Sequence, residues 1–266
     1  MKVGLIGDIH GRNFWRLSVH KMLLEGVDKV IFLGDYLDPY GDEIMMAPEL
    51  MECNDFYDSQ NLLKMLEDIV SLKRNESNKY ILLTGNHSDS YIWSKFNAAS
   101  RTDYKNWEKY HKFFSENLEY FNLVWIENDV IFSHAGISEG WAKEVWEILE
   151  YPKSEYKSIM DVALALNDIP LSNFDNKLIK LLGNISYYRY GESQFGSCEW
   201  ADIREHVDME KSKEQDDFIQ LGEDGIYQVF GHTQLKAPIK GGKWACLDCR
   251  QGFIFDTITH ECKSCL

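Results

Sequence analysis

Five short apolar runs in this chain each end in the same kind of residue, and that recurrence constrains the fold more than any other feature. Lys2–Gly7 leads into Asp8 and His10, and Lys29–Leu33 leads through Gly34 to Asp35. Tyr80–Leu83 reaches Asn86 and His87, Val130–Ser133 reaches His134, and Ile226–Phe230 passes Gly231 to His232. Apolar runs of this length, bounded by glycine and polar turns, read as strands buried inside a layered sheet. Loops at the carboxyl ends of such strands converge on one crevice, so residues far apart in sequence become neighbours there.

Helices fill the spaces between these runs. One is expected from about Asn13 to Glu25, and another where Leu62, Leu63, Leu66, Ile69 and Val70 repeat every 3.6 residues. Residues 139–180 read as helical, with Trp141, Val145, Ile148 and Leu149 on one face; residues 211–224 are charged and read as solvated. Lys243–Leu247 and Gly252–Phe255 read as a closing antiparallel pair. Strands alternating with helices, then a strand-rich end, describe an α/β layered domain. The 266 residues suit one domain, 1–266, with a polar insert at 39–54 expected to border the site and a cysteine-rich closing segment at 243–266.

Charge and composition remove several function classes. With 28 Lys+Arg against 43 Asp+Glu the chain carries −15, which disfavours a generic nucleic-acid clamp. Bound divalent cations reverse the local field, so a phosphorylated substrate stays compatible with that charge. No stretch approaches the roughly 20 apolar residues that span a bilayer, and no cationic leader precedes the first strand. A cytoplasmic location with no membrane partner is therefore expected.

The strand-end residues suit a pair of divalent ions. Carboxylate can bridge two cations, imidazole suits first-row transition metals, and an amide supplies a neutral oxygen. Mixed oxygen and nitrogen ligation fits Mn, Fe or Zn better than an all-oxygen Mg or Ca cage. Taken singly, Asp8 reads equally as a helix-start acceptor, Asn86 as a turn residue and His134 as a half-buried histidine. Seven such residues at successive strand ends are hard to explain that way.

Gly7-Asp8-Ile9-His10-Gly11, Gly34-Asp35-Tyr36-Leu37-Asp38, Gly85-Asn86-His87, Ser133-His134-Ala135-Gly136 and Gly231-His232-Thr233 together resemble the ordered motifs of calcineurin-like metallophosphoesterases, nearest the phosphoprotein-phosphatase and bis-nucleoside tetraphosphatase branch. The resemblance spans residues 7–233. It implies a four-layer α/β/β/α sandwich with two metal ions. Asp8 and His10 would hold one ion, Asp35 would bridge, and Asn86, His134 and His232 would hold the second. His87 would be the general acid that protonates the leaving oxygen, oriented by Asp38. The implied reaction is hydrolysis of a phosphate monoester, on a phosphoprotein or a small nucleotide, by in-line attack of a metal-bridging hydroxide. Bis-nucleoside polyphosphate hydrolysis or phosphodiester hydrolysis is the alternative, and a catalytically weak, metal-containing binding scaffold is a further one.

The chain departs from that pattern in places that matter. Pro39 and Thr84 stand where the phosphatase branch usually carries phosphate-clamping arginines, and neither can bind phosphate bidentately. Arg189 and Arg204 are the candidate replacements, with Arg189 favoured by Gly191 beside it. Gly231-His232-Thr233-Gln234 lacks the second histidine of the Gly-His-x-His diesterases, which favours monoesters or nucleoside polyphosphates. In the insert, Asp42, Glu43, Glu49 and Glu52 would repel long polyanions, while Tyr36, Tyr40 and the methionines are candidate contacts for an apolar group or base. Cys246-x-x-Cys249 and Cys262-x-x-Cys265 have the spacing of a structural zinc site. The competing reading is buried or free thiols, because a strand points alternate side chains to opposite faces; Cys53 and Cys198 read as isolated thiols.

Overall fold

Alternation within the first strand decides how both of its faces are used. In β1 (Lys2–Ile6), Val3 and Leu5 enter one apolar core while Ile6 enters another. Gly4 shares that second face, and helix packing there is so close that a Cβ would lie 2.6 Å from Met22 Sδ. The same alternation recurs in β2 (Lys29–Phe32) and β3 (Tyr80–Leu83), so these strands are apolar on both sides. The computed structural model describes residues 1–39, 62–93, 99–152, 155–215 and 226–265.

β1, β2, β3 and the short β4 (Phe121–Asn122) run parallel in that order. Behind them in sequence come β5 (Val124–Glu127), β6 (Val130–Ser133), β7 (Tyr227–Phe230), β8 (Ile239–Lys240) and β9 (Trp244–Cys246), which form a second sheet in the order β5-β6-β7-β9-β8. β6, β7 and β9 are mutually parallel. Finally β10 (Gly252–Asp256) and β11 (Cys262–Ser264) return to the first sheet, β10 pairing antiparallel with β1 from Lys2↔Asp256 to Ile6↔Gly252. The two sheets meet through Val3, Leu5, Ile31, Leu33, Ile81 and Leu83 on one side and Val130, Phe132, Tyr227, Val229 and Ala245 on the other.

Helices cover both outer faces. α1 (Phe14–Leu24) and α2 (Leu62–Asn75) bury Trp15, Met22, Leu66 and Ile69 against the first sheet. α3 (Asn86–Ile92) leaves β3 directly, and α4 (Trp107–Asn117) packs against it. α5 (Glu139–Ile148), α6 (Ile159–Asp168) and α7 (Asn176–Leu182) share one apolar cluster with Ile131 of β6. α8 (Ile203–Gln215) brings Ile203 and Val207 against Phe230, Trp244 and Cys246. The result is the expected α/β/β/α layering.

One expectation fails. Lys243–Leu247 and Gly252–Phe255 do not pair with each other: β9 joins β7 in one sheet and β10 joins β1 in the other. The segment therefore laces the two sheets together, where a hairpin would have extended one of them. Tyr40, Asp42, Glu43, Glu49, Glu52, Cys53 and the methionines of the 39–54 insert lie outside the described residues, as does most of the charged 211–224 stretch. Among the described residues no helix is long and apolar enough to cross a membrane.

Candidate metal centre

Each ligand candidate sits just beyond the carboxyl end of a parallel strand: Asp8 after β1, Asp35 after β2, Asn86 after β3, His134 after β6 and His232 after β7. The turns that aim them are unusual. His10, Asp35, Asp38 and His232 all have positive φ, between 45° and 63°, a left-handed conformation that non-glycine residues adopt at a cost and that clusters at functional sites. The loops after β1 and β2 hold each other in place, because Ile9 N–H and His10 N–H both donate to the Asp35 carbonyl, at 3.0 and 2.8 Å. Gly34 has to be glycine: its φ is +109°, and a Cβ would lie 2.5 Å from the Thr84 carbonyl and 2.8 Å from His134 Nδ1. Gly85 is as constrained, with its Cβ position 2.5 Å from Asp35 Oδ1.

Asp35 belongs to two three-residue groups, His10–Asp35–His87 and Asp35–His134–His232, whose donor atoms each lie within 4.8 Å of one another. His134 Nε2 is 3.0 Å from Asn86 Oδ1, 3.0 Å from His232 Nδ1 and 3.3 Å from Asp35 Oδ2. Four donor atoms converging this closely match ligands about 2.1 Å from a shared ion, which at right angles would be about 3.0 Å apart. His134 Nδ1 donates to the Leu33 carbonyl and His10 Nδ1 to the Leu37 carbonyl, each at 2.8 Å. Those bonds fix both rings and leave their Nε2 atoms facing inward, the usual outer support of a metal-binding imidazole. The residues present thus fit divalent cations.

Electrostatics point the same way. Burial pushes His10 down to about 3, with His87 adding to the effect, and pushes His232 well below its ordinary value, with Arg189 adding. Both rings are therefore neutral and have a lone pair to offer. His134 is also buried, yet Asp35 and Asp8 outweigh that burial and hold its pKa at about 10. Two carboxylates around one buried imidazole make this a strongly negative pocket, a setting that favours a bound cation.

His87 sits at the rim of this cluster. Its backbone N–H donates to Asp35 Oδ1 at 3.0 Å, its Nδ1 donates to Asp38 Oδ2 at 2.9 Å, and its ring meets His10 edge-on at 4.8 Å between centroids. Its proximity to His10 and Asp35 also admits it to the first ligand group. Nδ1 is thus engaged by Asp38, and His87 lines the same cavity as His10 and Asp35.

The model of the calcineurin-like phosphoesterase family matches residues 1–235. The chain belongs to that family. It is a metal-dependent hydrolase of phosphate esters. No curated protein matches it significantly by sequence. Among solved structures, the cold-active protein-tyrosine phosphatase of a psychrophilic Shewanella species is similar in fold, with TM-score 0.53 and 13% identity, covering 100% of this chain and 80% of that one. A protein serine/threonine phosphatase from Saccharomyces cerevisiae, described as similar to human phosphatase PP5, gives TM-score 0.50 and 14% identity, covering 96% of this chain and 71% of that one.

The two arginines considered for phosphate binding differ in where they lie. Arg189 lines the cavity of about 260 Å³ that also exposes His10, Asp35, Asn86, His87 and His232. Its Nη2 donates to Thr233 Oγ1 at 2.9 Å and to the His232 carbonyl at 3.3 Å, with Asp202 3.4 Å from its Nε. Arg204 is not brought to that cavity. Asp202 Oδ1 takes its Nε at 2.7 Å, and the guanidinium lies over the Tyr188 ring. Thr84, at the other arginine position, is fully buried.

Two further expectations are corrected. Tyr36 is fully buried, donates to the Leu83 carbonyl at 2.8 Å and packs on Phe121, so it belongs to the core and not to a substrate face. The four cysteines do not assemble: no three of them bring their sulfurs within 4.8 Å of one another, whereas thiolates on one tetrahedral zinc lie about 3.8 Å apart. Cys246 packs with Phe230 and Trp244, Cys249 and Cys262 against the core between the sheets, and Cys265 against the helical core. β9 ends at Cys246 and Cys249 lies in the turn beyond it, so strand alternation does not set their relation; both are buried thiols.

Asp248 was missed. It is buried, lines the same cavity and sits beside Asp8, whose pKa burial and Asp248 together push well up. Asp8 Oδ1 in turn accepts the His232 N–H at 3.1 Å. A signal existed, since Asp248 follows the apolar run Trp244–Leu247 just as Asp8 and Asp35 follow theirs. Trp200, also on the cavity wall, carries no such signal, whereas Gln234 stands there at the position the sequence motif marks as lacking a second histidine.

Proposed function

We propose that this phosphoesterase hydrolyses phosphate monoesters, on a phosphoprotein or a small nucleotide, with two divalent cations of the Mn, Fe or Zn type. The observation that carries the reading is Asp35, common to two ligand groups beside one cavity that Arg189 also lines. When bound, two such cations acidify a water and neutralise charge on the attacked phosphate. Asp8, His10, Asp35, Asn86, His134 and His232 hold them.

The chain's own residues supply the rest. Arg189 is tethered to Thr233 and the His232 carbonyl and presents its remaining donors to phosphate oxygens, a task guanidinium performs bidentately. His87, with Nδ1 fixed by Asp38, gives its Nε2 proton to the departing oxygen. Gln234 on the cavity wall is an amide where diesterases of this family carry a further histidine, which favours monoesters. Five described cysteines are free thiols, in keeping with a reducing, cytoplasmic setting.

The test is turnover of p-nitrophenyl phosphate by metal-stripped protein reloaded with Mn, beside bis-p-nitrophenyl phosphate and a bis-nucleoside polyphosphate. Fast monoester turnover that needs metal is expected. Preference for either diester-type substrate would move the assignment to that branch, and silence on all three would favour a binding scaffold.

A further inference from the structure

Asp38 has two carboxylate oxygens, and only one of them serves His87. The other accepts a hydrogen bond from Tyr91 Oη at 2.6 Å. Tyr91 is fully buried at the end of α3, five residues from where that helix begins at Asn86. Its oxygen in turn accepts the Asp103 backbone N–H at 2.8 Å. That donor is itself fixed, because the Asp103 carboxylate caps the following turn through Lys105 N–H and Asn106 N–H, both at 3.1 Å. Around the ring, Tyr110 and Phe114 pack at 5.2 and 6.4 Å between centroids.

The donor directions follow from counting protons. Asp103 N–H can only donate, so it occupies a lone pair of Tyr91 Oη, and the single hydroxyl proton points at Asp38. Asp38 thus accepts on one oxygen from Tyr91 and on the other from His87 Nδ1–H, so Nε2 is the nitrogen that takes up and gives the second, transferable proton of the ring. We propose that Tyr91 is a positioning residue for this reaction: by anchoring Asp38 from behind, it fixes the tautomer and aim of His87 at the leaving oxygen. The proposal rests on the phosphoesterase reading above. The relay has four members, Asp103 N–H, Tyr91, Asp38 and His87, and only the last touches substrate.

A general acid matters most when the leaving oxygen is basic, and that supplies a readout which mere destabilisation would not give. The experiment measures kcat and KM of wild type, Tyr91→Phe, His87→Asn, the double variant and Tyr110→Phe. Each is Mn-loaded, with metal content determined, and assayed on phenyl phosphate and on 2,4-dinitrophenyl phosphate. Tyr91→Phe is expected to lower kcat on phenyl phosphate about 10- to 100-fold, with KM within about twofold and a smaller fall on the dinitrophenyl ester. The ratio of the two substrates does not depend on the folded fraction, so partial unfolding cannot mimic it. In the His87→Asn background Tyr91→Phe should add nothing, as for residues acting as one unit. Tyr110→Phe, which removes a buried hydroxyl from the same ring cluster, should leave the ratio at its wild-type value. Equal falls on both esters, an additive loss in the double variant, or an unchanged Tyr91→Phe enzyme would overturn the proposal while leaving the phosphoesterase reading intact. A wild-type enzyme inactive on every ester would overturn that reading and this inference with it.

Discussion

Arg189 donates to Thr233 and to the His232 carbonyl, and its guanidinium still borders the cavity. Charge-assisted bonds of that kind contribute about 1.5–3 kcal/mol each, so Arg189→Ala should lower kcat/KM by about 10- to 100-fold. Arg189→Lys should recover only part, because an ammonium lacks the planar fork. Arg204 spends its donors on Asp202 and Tyr188 and is half exposed; Arg204→Ala should stay within about threefold of wild type, as surface pairs usually do. His87→Asn should cost about 10²- to 10⁴-fold in kcat with metal content retained. All four variants are read by steady-state kinetics on p-nitrophenyl phosphate with metal analysis of each preparation. At this scale the site was legible wherever a ligand-type side chain followed an apolar run with glycine beside it. It was not legible at Tyr91 or Tyr36: both are tyrosines near motif residues, and only the packing of Tyr91 against α4 and of Tyr36 against Phe121 separates a relay member from a core side chain.

Strand and helix identity came through wherever periodicity was strong, as in β1 to β3, β6, β7 and α2. β9 and β10 were recognised as strands but assigned to each other, because pattern alone does not say which sheet a strand joins, and a four-residue connection between Leu247 and Gly252 resembles a hairpin. The turn after β2 is the element with least freedom. Gly34→Ala would face both a positive φ and a Cβ 2.5 Å from a carbonyl oxygen, so it should lose at least about 2 kcal/mol of stability and weaken metal retention, read by denaturant unfolding and metal analysis. α8 carries a second test. His206 is buried, stacks on Phe230 at 4.5 Å, and burial pushes its pKa from 6.5 down to about 4. Its folded-state pKa lies below the unfolded one, so the stabilising difference is complete above about pH 6.5 and is lost as pH falls toward 4. The full difference amounts to about 3 kcal/mol. Urea unfolding of wild type against His206→Gln should therefore converge as pH drops from 7 to 4.5.

For the whole molecule, the centre concentrates Asp8, Asp35 and Asp248 at the edge where the two sheets meet, in a chain of charge −15. Cations that bind only the folded form stabilise it by mass action, about 2.7 kcal/mol at a hundredfold excess over Kd. For a chain of this size that corresponds to roughly 5–10 °C in Tm. Calorimetry of Mn-loaded against chelator-treated protein should show a shift of that size, graded with free metal concentration; an unchanged Tm would mean that the cluster does not hold metal in the folded state.

The pairing of β1 with β10 carries a consequence for synthesis. β1 contributes residues 2–6 and its partner contributes residues 252–256, so one side of β1 has no neighbour until about 250 further residues exist. At roughly 5–20 residues per second, that exposed strand edge persists on the ribosome for about 12–50 s. Asp8 and His10 follow that same strand, and His232 and Asp248 are made more than 200 residues later. The candidate ligands therefore come together only after β7 and the turn following β9 have been made, and until then the β10 side of β1 is a bare sheet edge.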